Sequence, residues 1–205
     1  MLTRSLLALA AVPLVAVATI PPIKAEPGTI GWLKPSQLAG SFVGARHDDP
    51  IEIQERRCGA PVFTPLMEVP SDPDGNWHVF VSPPVTTTYR ARFRGETSGT
   101  ATVRVRPNVT IRELSRGRFL VTTLALKQFW RKTGVLERFN RSTGRWVRVK
   151  TFLFSESGAT TGTTSVTRGR FRSRLPRATL VRALIPSSQA RPCYEAGVSN
   201  MLQTR

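Results

Sequence analysis

The sequence predicts an all-β protein, two β-sandwich domains in tandem behind an N-terminal signal peptide. Three observations lead there. Short apolar-alternating runs recur at intervals of about ten residues, separated by Gly, Pro, Asp and Ser, which is the spacing of strands and turns. The clearest run, residues 86–94, sends Thr87, Tyr89, Ala91 and Phe93 one way and Thr88, Arg90, Arg92 and Arg94 the other. A weaker echo at residues 178–185 repeats its Arg-Ala pair, so one unit is present twice.

Taken in order, residues 1–4 form a short basic start and residues 6–20 an apolar stretch. Pro21-Pro22 stops any helix there. The stretch is short for a membrane span and no stop-transfer pattern follows, so residues 1–25 read as a secretory signal peptide. Small-residue cleavage sites lie after Ala18 and after Ala25. The second is favoured because Glu26-Pro27-Gly28 opens a polar segment. No later stretch is apolar and long enough to cross a membrane, which implies an exported, cell-wall-associated product.

Residues 26–107 carry runs at 29–33, 38–43, 51–56, 62–69, 76–82, 86–94 and 100–106. Asp72-Pro73-Asp74-Gly75-Asn76 reads as a hairpin turn, since Asp and Gly accept left-handed backbone. Residues 108–205 carry runs at 109–114, 118–126, 135–140, 145–154, 165–172, 178–185 and 198–204. Seven and seven suits two immunoglobulin-like sandwiches. Residues 127–132 suit one helical turn, and the Gly/Ser/Thr-rich residues 155–164 a flexible loop. The halves align as Gln54-Glu55-Arg56 with Leu136-Glu137-Arg138, Gly75-Asn76-Trp77 with Gly169-Arg170-Phe171, and Tyr89-Arg90-Ala91 with Val181-Arg182-Ala183. Residues 95–98 align with 196–199. The junction at Pro107-Asn108 leaves almost no linker.

These residues bring a resemblance into view. Gly75-Asn76-Trp77, then Pro84 through Thr87 to Tyr89-Arg90-Ala91, then Ser98 to Val105, is similar to the pattern of tandem immunoglobulin-like or fibronectin-III-like modules in secreted proteins of high-GC Gram-positive bacteria. The second half departs from it, with Val181 in place of the tyrosine. The resemblance covers residues 28–205 and implies fold and location rather than an activity. It implies a tyrosine corner at Tyr89, ring in the core and hydroxyl on backbone. Trp77 and Trp146 read as core anchors, and Trp130, beside Lys127, Arg131 and Lys132, as partly exposed.

Charge is uneven. The chain holds 30 basic and 13 acidic residues, a net of +17. Residues 26–107 hold nine of each; residues 108–205 hold 19 basic and four acidic, a net of +15. A composition bias would touch both halves alike, so the excess points to a polyanion partner for the second. Arg168, Arg170, Arg172 and Arg174 alternate along one strand face. Arg138, Arg141, Arg145, Arg148 and Lys150 lie on the preceding hairpin, and together the nine are the candidate anion-binding residues. An anionic wall polymer, an acidic glycan or an envelope protein are the partners this suggests. Nucleic acid would bind only non-specifically, since the basic runs lack stacking aromatics.

No nucleophile elbow, zinc motif or P-loop is present, so no enzyme, cofactor or metal is expected. Asp72-Pro73-Asp74-Gly75 lacks the length and closing ligands of a calcium loop, and His47-Asp48-Asp49 could bind a cation with Asp72 or Asp74 only where those loops converge. Cys58 and Cys193 point to one disulfide in an exported chain. In an immunoglobulin-like sandwich the turn after the third strand lies at the exit end and the turn before the last strand at the entry end. Both cysteines therefore face the junction. The expected function is a non-catalytic interaction or structural module of the bacterial envelope. The alternative is a polyanion- or carbohydrate-binding protein with a ligand site near the junction.

Overall fold

The computed structural model describes residues 20–158 and 164–205. It is all-β, with several sheets facing one another across an apolar core. The strands are β1 (Ile23–Glu26), β2 (Thr29–Gly31), β3 (Ser36–Ser41), β4 (Pro50–Arg57), β5 (Thr64–Pro70), β6 (Asn76–Val81), β7 (Thr87–Phe93), β8 (Glu96–Thr97) and β9 (Ala101–Arg106). After Pro107 come β10 (Asn108–Ser115), β11 (Arg118–Ala125), β12 (Thr133–Asn140), β13 (Arg145–Leu153), β14 (Glu156–Ser157), β15 (Ser165–Arg172) and β16 (Leu180–Ile185). A single helical turn, α1 (Ser187–Ala190), precedes β17 (Gly197–Val198) and β18 (Leu202–Gln203).

Four sheets result, and among the described residues no strand pairing crosses Pro107. Before it lie β1-β3-β6 and β2-β9-β7-β4-β5, with β8 on β7. After it lie β10-β11-β15-β14 and β13-β12-β16-β17, with β18 on β16. Neighbours are antiparallel except β2 and β9, which run parallel. The inward faces are the ones the period of two predicts. Thr87, Tyr89, Ala91 and Phe93 are buried and meet Leu38, Ile51, Ile53 and Val103. Ile111, Phe119, Val121, Leu136, Phe152, Phe154, Val181 and Ala183 do the same in the second half. Each large apolar side chain among them contributes about 1.5–3 kcal/mol by leaving water.

One hydrogen-bond pattern occurs on either side of Pro107. Ala91 N donates to Ser98 Oγ (2.8 Å), and Ser98 N to Ala91 O (2.9 Å). Ala183 N donates to Ser199 Oγ (2.8 Å), and Ser199 N to Ala183 O (2.9 Å). Each serine thus continues the ladder where the chain leaves it. The outer faces match too: Arg90 Nε donates to Gln54 and stacks on Phe63, while Arg182 Nε donates to Glu137 and stacks on Trp146.

These pairs correct the sequence alignment by one residue. Gln54 opposes Arg90 and Glu137 opposes Arg182, so Gln54 corresponds to Glu137 and Ile53 to Leu136. Gly75 and Gly169 do not correspond. Gly75 is in a turn with φ of +77°, whereas Gly169 lies inside β15 opposite Val121. The Asp72–Asn76 turn is not a hairpin, because β5 pairs with β4 and β6 with β3. It carries the chain from one sheet to the other. Asp72 Oδ1 accepts from Asp74 N (2.9 Å) and Asn76 N (2.8 Å), and the Asn76 side-chain and backbone bonds hold its carboxyl below the usual aspartate range. Residues 127–132 form no helix; among the described residues the one helical turn is α1.

Strand β1 was not expected. Residues 1–19 of the predicted signal peptide lie outside the described residues, but Ile23–Glu26 pairs with β3 along its whole length. Gly99 N donates to Pro21 O (3.0 Å). The Pro22 carbonyl is so close to Gly40 that an added Cβ there would stand 2.5 Å from it. The segment is thus built into the first half. Residues 159–163 of the expected loop also lie outside the described residues, while Glu156 and Ser157 form β14.

Candidate functional site

The second half brings three chain segments around one cleft: the β10–β11 turn, the middle of β13 and the end of β15. The β10–β11 turn must reverse within Arg116-Gly117, and Gly117 takes a φ of +70° that a side chain would resist. A Cβ there would also stand 2.9 Å from Ser173 O. The bare glycine lets the two chain segments touch: Ser173 N donates to Gly117 O (2.9 Å). Arg116 and Arg118 are thereby set beside Arg172 and Arg174. From the facing sheet, edge strand β13 reaches across, and Lys150 Nζ donates to Arg172 O (2.9 Å). The space these five cations line has a volume of about 700 Å³.

No carboxylate lines this cleft. The second half has four; three pair with arginines elsewhere, and Glu113 is buried against the turn that forms the cleft wall. Glu113 is buried, its Oε1 accepting from Gly117 N (2.8 Å) and its Oε2 from Arg205 N (2.8 Å). Glu137 pairs with Arg182 (2.8 Å), Glu156 with Arg170 (2.8 Å), and Glu195 with Arg104 of the first half (3.6 Å). Among the described residues, no ion pair engages Arg116, Arg118, Lys150, Arg172 or Arg174. Clustered like charges repel, so an anion entering the cleft relieves that repulsion as well as gaining its own contacts.

The nine predicted residues divide. Lys150, Arg172 and Arg174 meet in the cleft, joined by Arg116 and Arg118. Arg168 and Arg170 stand on the outer face of β15, Arg170 neutralised by Glu156. Arg138, Arg141, Arg145 and Arg148 belong to the β12–β13 hairpin of the other sheet, Arg148 hydrogen-bonded to Thr151. The nine therefore lie on two sheets. Arg116 and Arg118 escaped notice because they flank a turn; the Arg-Gly-Arg spacing itself was the available signal.

The junction between the halves is closely tied. Cys58 and Cys193 form a disulfide, with Cα atoms 5.3 Å apart. Thr86 N donates to Cys193 O (3.1 Å) and Glu195 N to Val105 O (2.9 Å). Tyr194, between them, is buried. Its hydroxyl donates to Pro84 O (3.1 Å) and accepts from Leu126 N (2.9 Å) and Lys127 N (3.2 Å). Tyr89 has its ring in the core. Tyr194 carries a hydroxyl bonded to backbone on both sides of the junction, and sequence reasoning missed it.

Trp77 is in the core, whereas Trp146 lies outside it under the Arg182 guanidinium. Trp130 is half exposed against Arg131. His47 and His78 are both exposed, His47 beside Asp48 (3.4 Å). Among the described residues no three His, Cys, Asp or Glu side chains are grouped to hold a metal, and no helix is long and apolar enough to cross a membrane. A scan against protein-family models finds no match for this chain, and a search of curated proteins returns none.

Proposed function

We propose that the protein is an exported, non-catalytic binding module of the bacterial envelope, made of two tandem immunoglobulin-like sandwiches, and that its second sandwich holds an anionic wall polymer. The strand orders support the tandem reading, since each half pairs its own strands in two sheets. The observation that carries the function is the cleft of five unpaired cations, in a half whose four carboxylates all face other partners. Counterion release on binding a polymer of repeated anions supplies the affinity.

The test compares two variants of equal charge. One replaces Arg116, Arg118, Arg172 and Arg174 by glutamine; the other replaces Arg138, Arg141, Arg145 and Arg148. Binding to purified phosphodiester wall polymer is measured at several salt concentrations. The cleft variant is expected to lose at least about tenfold in affinity and the hairpin variant much less. Equal losses would reduce the interaction to bulk charge and remove the site.

Export carries its own expectation. Cleavage after Ala25 would detach most of β1 from β3, while cleavage after Ala18 keeps it. The secreted protein is therefore expected to begin at Thr19, read by intact mass. A product beginning at Glu26 would contradict this.

A further inference from the structure

A second cavity, of about 640 Å³, lies where the halves meet and differs in chemistry from the cationic cleft. From the first half it is lined by Trp32 and Lys34. The junction adds Arg106 and Asn108, and the second half adds Glu195. Its size falls within the usual span of small-molecule sites, which favour the interface between packed units.

The local backbone presents these groups deliberately. After β2 the chain turns tightly, Lys34 N donating to Gly31 O (2.9 Å), with Leu33 at a φ of +57°. That conformation is costly for a leucine, and such strain collects where a neighbouring side chain must be aimed. Here the turn sets Trp32 and Lys34 on the cavity wall. Glu195 is held from the other side, its N–H on Val105 O and its chain position two residues from the disulfide. The cavity therefore keeps its shape only while the halves stay locked.

The lining groups have complementary uses. Trp32 is half-buried, and a ring of that kind offers an apolar face to the C–H side of a sugar. Its Nε1–H is buried without a partner. Asn108 can both donate and accept, and the Glu195 carboxylate accepts, which is what sugar hydroxyls need on either side. Lys34 and Arg106 are exposed, and among the described residues neither is in an ion pair. Two free cations beside an aromatic face suit a ligand carboxylate. Glu195, paired with Arg104 (3.6 Å), is a carboxylate on this wall that the cationic cleft lacks, so this cavity is not a copy of that cleft.

We propose that the junction cavity binds a carboxylate-bearing sugar, stacked on Trp32 with its carboxylate between Lys34 and Arg106. The experiment titrates a uronic-acid disaccharide, and its neutral counterpart, into the full oxidised protein by calorimetry. Four proteins are compared: wild type, Trp32→Ala, Arg106→Gln, and the glutamine variant of the cationic cleft. Saturable one-site binding is expected for the acidic sugar, weaker by at least about tenfold for the neutral one. Trp32→Ala and Arg106→Gln should each weaken binding by a similar factor, and the cleft variant should leave it unchanged. Arg106 is exposed at a strand end, so its variant reports on the site even if Trp32→Ala melts early. No saturation by wild type up to about 10 mM sugar would overturn the proposal. So would equal binding of the neutral sugar, or a loss that follows the cleft arginines instead of Arg106.

Discussion

Replacing Cys58 and Cys193 by alanine is expected to destabilise the protein by about 2–5 kcal/mol, because the bridge closes a loop of 135 residues in sequence separation. The entropy of so long a loop sets the upper figure, and relaxation of the native state lowers it. For a chain of this size the melting temperature should fall by about 5–15 °C. The shape of the transition should change too. The bridge spans the two halves, and without it the remaining ties include a few hydrogen bonds, the Arg104–Glu195 ion pair, the Tyr194 side chain and apolar contacts. Calorimetry should then resolve two overlapping transitions where the oxidised protein shows a more cooperative one. A variant that melts within about 1 °C of wild type, in one transition, would show that the bridge constrains nothing.

Tyr194→Phe is the second large effect. One oxygen serves three backbone groups from two sequence-distant segments: Pro84 O, Leu126 N and Lys127 N. Phenylalanine fills the same volume but leaves those groups to find water in a partly closed space. Each unsatisfied group costs about 1–3 kcal/mol when fully buried. Partial access lowers this, so a total of about 2–4 kcal/mol in urea denaturation is expected. Tyr89→Phe is the control, a buried ring kept in place with its hydroxyl removed, and about 1 kcal/mol or less is expected. Equal effects at the two positions would argue against the bridging role.

The same two residues, the only tyrosines in the chain, make an alkaline prediction. Burial pushes both hydroxyls above their ordinary range; for Tyr89 the Glu55 charge adds to it, and for Tyr194 the Lys127 and Leu126 amide bonds oppose it. A folded value above the unfolded one, near 10, means the contribution is intact below pH 10 and is lost as pH rises beyond it. Tyrosinate absorbance should therefore stay low in the native protein at pH 10 and rise together with unfolding. A free titration near pH 10 with the fold intact would contradict the burial of both hydroxyls.

Much of this was legible in the residues. The strand Thr87–Phe93 was readable because its alternation has one buried face, and burial is what enforces a period of two. The cysteine pair was readable because sandwich topology decides which turns face the junction. Other features were hidden for identifiable reasons. Trp146 shares the parity of Phe152 and Phe154, yet a bulge opposite Leu136 and Glu137 inserts one extra residue in β13. From there toward the strand's start the faces exchange, and Trp146 turns outward under Arg182. Strand β1 was hidden by the apolar stretch of residues 6–20 that runs up to it. Tyr194 was hidden because it sits in an irregular segment, and its partners lie 68 and 110 residues away.

The sequence by itself determined the all-β class, the charge imbalance and the disulfide partners, because each rests on local period, count or topology. Only the tertiary structure decided which charges meet. The alternating arginines of β15 share a face, but Glu156 removes one of them, while a bare Gly117 draws Arg116 and Arg118 into the group from a turn. It also decided that the junction encloses a cavity. Its lining comes from segments on both sides of Pro107, and such convergence has no signature along the chain.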